Sequence, residues 1–597
     1  MIHTDRLAAL RAHLSTLDLT GFVVPLTDEH MSEYVGAYAQ RLEWLTGFKG
    51  SAGNAVVLAG VAAMFTDGRY TTQVREQVDA TDWQFVQVPD TAMTDWLARH
   101  AVAGDRIGYD PWLATIGWVE AASAALAPVG AVLVAVDANP VDALWTDRPA
   151  PSPAAMAVYD DTLAGQSSAE KRAAIGEWLA SERADAVVLT ALDSIAWTFN
   201  VRGDDVAHTP VALAYAIVHA DGTADLFAEP GKIGDAVARH LGNAVTVRPM
   251  TDFAPALGDL EGKRVAADPD RAVAAIHGAL AAGGATVVAT RDPTVLAKAI
   301  KHPVEVAGHR TAQARDGAAM VRFLKWFEET APLGTLTELS ASDRLAAFRT
   351  DTGLLRDLSF DTISATGAHA ASPHYKATVE SDAPILPGQL YLIDSGGQYR
   401  DGTTDITRMM PVGAVSEEMR DRFTRVLKGH IAIDTAVFPD GTIGGHIDAF
   451  ARRPLWEAGL DYAHGTGHGI GAYLSVHEGP QRIAAPNYPG GGPMEPLRAG
   501  MMLSNEPGYY KAGEYGIRIE NLVLIVERSI PEADRRMLGF ETLTFVPVER
   551  SLIVVDLLTD SERAWVDAYH AKVADLLMPL LDTETAAWVE AKCAPLA

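Results

Sequence analysis

Residues 464–479 read HGTGHGIGAYLSVHEG, which puts His464, His468 and His477 within fourteen positions. Glycine fills every second place from Gly465 to Gly471. Such a stretch loses an unusual amount of backbone freedom on folding, so something must compensate for ordering it. A phosphate or a metal ion could do so. Four carboxylates stand in equally odd places. In QLYLIDSGGQYRDGTTDITRMM, 389–410, Asp394 ends one apolar run and Asp405 lies inside the next. Gly-Gly and Asp-Gly turn signals separate the two runs, so a hairpin should bring the carboxylates together. In MMLSNEPGYYKAGEYGIRIENLVLIV, 501–526, Glu506 follows an apolar run and Glu520 sits among Ile517, Ile519, Leu522 and Leu524.

Taken singly, these residues have ordinary readings. Asp394 could cap a turn while Asp405 faces solvent. Glu520 could pair with Arg518, which alternation puts on the same strand face, and for Glu520 alone that is the stronger reading. Taken together, the balance changes. Four acidic groups on apolar strands repel one another unless a cation intervenes. With one imidazole added they form an oxygen-rich site whose charge matches two divalent ions, which carboxylates can bridge. One nitrogen and no thiolate favour Mn²⁺ or a similar ion over a structural zinc.

Other readings of the glycine-rich stretch fail on detail. Gly467 to Ala472 fits a dinucleotide-binding GxGxxA, but the preceding WEAGLDYAHGT is no buried strand. His477-Glu478 begins like HExxH, but position 481 is Gln and Gly479-Pro480 would break the helix that motif needs.

The elements that must position this chemistry belong to a long chain. At 597 residues it exceeds a single core, and about 100–200 residues per domain predicts three or four. A formal charge of −28 argues against nucleic acid and against anionic membranes. The most apolar run, 121–136, is interrupted by Pro128 and Gly130 and is too short to span a bilayer. Cys593 is the only cysteine, which excludes an internal disulfide and suits a reducing compartment. The opening MIHTDRLAALRAHLSTLD reads as an amphipathic helix, not a signal peptide, so a cytoplasmic protein is expected.

RPAPSPAAM at 148–156 reads as a linker, and a second boundary falls near Lys301-His302-Pro303. The expected segments are 1–152, 153–301 and 302–597. The first two look alike: an apolar strand (GFVVPLTD, DAVVLTALD), then a tryptophan-bearing helix running into a turn (WLTGFKG, WTFNVRG). Two α/β domains of one type are expected. The third segment should begin helical and turn to β-structure from Gln389 onward.

With these motifs in hand, the chain resembles the long, three-domain form of Xaa-Pro aminopeptidase. The likeness runs through EYVGAYAQRLEWLTGFKGSAG, ALDSIAWTFNVRGDDVAHTPV, DLSFDTISATGAHAASPHYKA, LIDSGGQYRDGTTDITR, HGTGHGIGAYLSVHEGP, LSNEPGYY and GIRIENL, nearly the whole length. It implies an α/β (α+β) chain in which two creatinase-N-terminal-like domains precede a catalytic pita-bread domain with a C-terminal extension. It further implies that Asp394, Asp405, His468, Glu506 and Glu520 hold two divalent ions, Asp405 and Glu520 touching both. Manganese is the ion usual in such proteins, with zinc or cobalt as other choices. By the same likeness His374 binds substrate, His464 lines the pocket for the proline ring, and His477 contacts the scissile carbonyl. Arg518 corresponds to an arginine behind the ligands. The implied reaction is release of the residue before a penultimate proline by a metal-bridging hydroxide, with Glu506 moving the proton, in a homodimer. Two alternatives share the fold: a prolidase restricted to Xaa-Pro dipeptides, and a ligand-depleted peptide- or histone-binding module.

Overall fold

The computed structural model describes residues 3–488 and 491–596. The chain divides into two compact units, Met1–Lys298 and Ala299–Ala597.

In the first unit, Leu7, Leu10 and Leu14 recur at helical spacing and are buried, which fixes the inward face of the His3–Thr16 helix. Two six-stranded sheets follow. The first contains Gly21–Pro25, Asn54–Leu58, Ala62–Thr66, Gln84–Gln87, Arg106–Tyr109 and Val132–Ala135. The second contains Ala186–Leu189, Tyr215–His219, Ala224–Phe227, Val245–Arg248, Arg264–Ala267 and Thr286–Ala289. Numbered along the chain, the strands of each lie in the order 4-3-2-1-5-6. Strands 1, 2 and 3 pair antiparallel and all other pairs are parallel, in both sheets. Both central strands are apolar on two faces, as a sheet covered by helices requires. The internal likeness seen in the sequence is therefore a repeated topology. It extends to the helix ends: Gly47, three residues after Trp44, and Asn200, three after Trp197, both close their helices in the left-handed conformation.

The second unit is built around antiparallel strands. Ile363–Thr366, Leu390–Ser395 and Ile406–Pro411 form one sheet. Val437–Pro439, Met537–Thr542, Asn521–Arg528, Met502–Asn505, Gly467–Gly469 and Glu478–Ile483 form another, in that order. Gly508–Lys511 and Tyr515–Arg518 pair as a separate ribbon. The expectation of β-structure from Gln389 onward was too simple. The helices Glu417–Asp434 and Gly444–Trp456 are interleaved with the strands, and Asp560–Leu577 and Thr583–Lys592 follow the last of them. Their apolar residues recur on one face and close the same core as Leu390, Leu392, Phe423, Leu427 and Val566.

Two buried arginines fix the strands that carry the acidic residues. Arg408 donates to the carbonyls of Thr407, Glu520, Val546 and Pro547 and to Asn521 Oδ1. It thereby ties the Ile406–Pro411 strand to the backbone on which Glu520 sits. Arg349 makes a two-pronged pair with Asp316 of the long Pro303–Thr330 helix, at 2.8 and 3.0 Å, and reaches the Ser395 carbonyl. Tyr399 donates to the same Asp316 carboxylate. Removing one member of a buried pair leaves the other charged and unsolvated. Replacing Arg349 by Met should therefore cost about 3–5 kcal/mol in denaturant unfolding of this unit. A loss below about 1 kcal/mol would mean that the pair holds nothing in place.

Candidate metal centre

Asp394 lies in the Leu390–Ser395 strand opposite Thr407, and Asp405 immediately precedes the antiparallel partner strand. The hairpin expected from the sequence thus forms, although residues 397–403 between its arms make a small hairpin of their own. His468 occupies the middle of the Gly467–Gly469 strand, Glu506 follows Met502–Asn505, and Glu520 sits between Tyr515–Arg518 and Asn521–Arg528. Asp405, His468 and Glu520 each offer a donor atom within 4.8 Å of the others, and all three are buried. Asp394 and Glu506 stand close enough for their charges to act on Asp405 and Glu520. Sequence positions 394 to 520 converge on one point.

The distances suit an ion better than they suit hydrogen bonds. His468 Nε2 lies 3.5 Å from Asp405 Oδ2 and 3.6 Å from Glu506 Oε1. Both exceed a good hydrogen bond. They fall in the range of roughly 3–3.6 Å expected between two donors that each stand about 2.0–2.2 Å from one metal. His468 Nδ1 faces the Gly469 carbonyl at 3.0 Å. A carbonyl only accepts, so the proton belongs on Nδ1 and Nε2 is left bare, the tautomer a ligand needs. Asp394 Oδ1 and Asp405 Oδ1 are buried with no hydrogen-bond partner. These orphaned oxygens and the charge of the donor set fit divalent cations.

The remaining polar groups hold the carboxylates in place. Arg518 Nη2 donates to Asp394 Oδ2 at 2.5 Å, its Nε to Thr407 Oγ1, and its Nη1 to the Tyr510 hydroxyl. Thr407 in turn donates to Glu520 Oε2 at 2.7 Å. The arginine's ion-pair partner is therefore Asp394 and not Glu520, because the chain passes from one strand pair to the next at 519–520. Ser504 Oγ accepts from the His468 backbone and donates to Glu506 Oε1. Thr407, Ser504 and Tyr510 were not singled out in the sequence. Only their places beside Asp405 and Glu506, in DIT and SNEPGYY, hinted at them.

The three other histidines lie at the edge of the cluster. The His477 ring meets His468 edge-on at 4.2 Å between centroids, and His374 lies 6.5 Å from His477. Both are half-buried, whereas His464 is buried. His464 Nε2 is 2.9 Å from the Tyr510 hydroxyl and its Nδ1 faces the Gly465 carbonyl. The glycines between them allow close packing. A Cβ on Gly467 would stand 2.0 Å from the Ser504 carbonyl oxygen, and one on Gly469 would stand 2.1 Å from that of Glu478.

Burial raises the Asp405 carboxyl well above the usual carboxylate range, and neighbouring Asp394 adds to it. Burial does the same to Glu520, with Asp405 as the next cause, and raises Glu506. A carboxyl raised in the folded state is favoured there when protonated. Its destabilising effect is absent below about pH 4 and grows as pH rises toward the folded-state pKa. Divalent ions require the deprotonated ligands, so their stabilising effect has the opposite pH dependence. The Tm difference between metal-loaded and metal-stripped protein should widen from about pH 5 to about pH 8. A constant difference would mean that these carboxyls are not what the metal displaces protons from.

Comparison with known proteins agrees with this geometry. Residues 307–527 match the metallopeptidase family M24, and 536–596 match the C-terminal region of M24 peptidases. Residues 6–144 and 147–305 each match a creatinase/prolidase N-terminal domain. A protein of Laccaria bicolor named a probable Xaa-Pro aminopeptidase P is 42% identical over 612 aligned residues, covering 99% of this chain and 94% of that one. The crystal structure of an X-prolyl aminopeptidase from Caenorhabditis elegans, described as a cytosolic enzyme with a di-nuclear active site, superposes with a TM-score of 0.95 at 34% identity over the full length of both chains. An Xaa-Pro dipeptidase from Bacillus anthracis, at 22% identity and a TM-score of 0.51, covers 64% of this chain and 99% of its own, and shares the fold. This chain belongs to the Xaa-Pro aminopeptidase P group of metallopeptidase family M24, with two creatinase-type N-terminal domains and a pita-bread domain.

Proposed function

We infer that this protein is a metal-dependent aminopeptidase that releases the N-terminal residue from peptides with proline in second place. The observation that carries the reading is the convergence of four carboxylates on His468, two of them with unpartnered buried oxygens. Asp394, Asp405, His468, Glu506 and Glu520 are the residues that would hold two divalent ions. Manganese is the first expectation for this oxygen-rich set, ahead of zinc and cobalt. When bound, such ions supply Lewis acidity toward a carbonyl and make a water acidic enough to serve as nucleophile near neutral pH.

The chain's own residues do the rest. Glu506 is the donor that stays partly open, its side chain 18% exposed against 3% for Asp405. It takes the proton of the attacking water and passes it to the departing proline nitrogen, a role its burial-raised pKa favours. His477 donates to the scissile carbonyl oxygen as negative charge develops there. His464, steadied by Tyr510, lines the place of the proline ring, and His374 contacts the peptide. The substrate's free amine docks against the carboxylates, which limits release to one residue at a time. On this reading residues 1–152 and 153–301 are the two creatinase-like domains and 302–597 the catalytic domain. The working form is a cytoplasmic homodimer, in keeping with the lone cysteine and the relative described as cytosolic.

The test is release of arginine from Arg-Pro-Pro by stripped protein to which Mn²⁺ is returned. Activity should rise with metal bound. Hydrolysis of Xaa-Pro dipeptides alone would indicate a dipeptidase, and metal binding with no release would indicate a binding module. His477→Ala should lower kcat by about 10²–10³-fold, the usual cost of one oxyanion donor, with metal content unchanged. An unchanged kcat would remove His477 from the scheme.

A further inference from the structure

His477 sits on a loop with no regular structure between Ile470 and His477, yet that loop is gripped at two points by buried polar groups. At its far end Glu478, the residue after His477, forms an ion pair with Lys301 in which both side chains are essentially inaccessible. Lys301 is itself fixed: its backbone N–H donates to the Gly500 carbonyl at 2.9 Å, and Ile300 bridges to Met501. In the middle, Gln398 Nε2 donates to the Leu474 carbonyl at 2.8 Å. Thr403 holds that glutamine by donating to its Oε1 at 2.9 Å. The neighbouring Tyr473 is kept in the left-handed backbone region at φ 50°, which tyrosine seldom adopts. The packing at the start of the loop allows no side chain on Gly469, whose missing Cβ position is filled by the Glu478 carbonyl.

A buried lysine–glutamate pair is weak evidence of a stabilising role, since two apolar residues of similar size often serve stability as well or better. We propose that Lys301 and Gln398 are positioning residues for the reaction: through Glu478 and the Leu474 carbonyl they fix the imidazole of His477 against the ligand cluster. The proposal rests on the role given above to His477. An oxyanion donor acts only when it is aimed at the reacting oxygen, and a displacement of about 1 Å can cost 10²-fold in rate. Neither Lys301, Glu478 nor Gln398 is among the five donors, so bound metal should persist when they are changed.

A double-mutant cycle tests this. Lys301→Met alone leaves Glu478 charged, buried and uncompensated, which threatens folding, so the main variant is Lys301→Met with Glu478→Met, which removes both charges; Gln398→Met loosens the second anchor independently. Each is compared with the parent and with the same change in a His477→Ala background, measuring kcat and KM on Arg-Pro-Pro, bound Mn²⁺ and Tm. The expected result is a kcat lowered about 10- to 100-fold with KM and metal content near those of the parent. In the His477→Ala background the same changes should have no further effect on kcat. An unchanged kcat, or an equal loss with and without His477, overturns the proposal. If His477→Ala itself leaves kcat unchanged, the functional role of His477 fails first, and the positioning role with it.

Discussion

The organising constraint of this molecule is electrostatic: four carboxylates in or beside different strands meet one imidazole in the buried interior. Like charges at that separation repel strongly where the dielectric is low, and each pays a further penalty for leaving solvent. One arginine is too little to neutralise them. Arg518 pairs with Asp394, yet Asp405 and Asp394 still have buried oxygens without partners, and Asp405 and Glu520 are driven toward their protonated forms. A pair of divalent ions would remove the repulsion, fill the orphaned positions and restore the ionised state.

Much of the surrounding fold serves to impose this arrangement. Arg408 spends its guanidinium on backbone carbonyls from two parts of the chain, which brings the strand after Asp405 to the segment carrying Glu520. Thr407 accepts from Arg518 and donates to Glu520, and Ser504 joins the His468 backbone to Glu506. Gly467 and Gly469 let the His468 strand lie against its neighbours more closely than any side chain would permit. The interactions are mutually dependent, which is why groups so unfavourable singly can be held together.

The acidic residues of the cluster could be picked out in the sequence because a charged residue within an apolar run is anomalous wherever it occurs. Asp405 and Glu520 stood out on those grounds, and the glycine alternation marked His468. The duplicated N-terminal architecture was legible too, through two tryptophan-bearing helices ending in a left-handed residue. What could not be read was pairing across long sequence distances. Nothing local to Arg518 says that its partner is Asp394, 124 residues earlier, and not nearby Glu520. The helices Glu417–Asp434 and Gly444–Trp456 were missed within a stretch taken as β-structure, because the strands on either side carried the stronger pattern. Lys301 looked like part of a boundary, and its burial against Glu478 depends on tertiary packing alone.

The claim beneath all of this is that the cluster is built for two metal ions. Anomalous diffraction at the manganese edge, from crystals of Mn²⁺-loaded protein, tests it most directly. Two peaks about 3.5–4 Å apart, enclosed by Asp394, Asp405, His468, Glu506 and Glu520, are predicted. A single peak, or peaks elsewhere with those side chains turned away from one another, would contradict it.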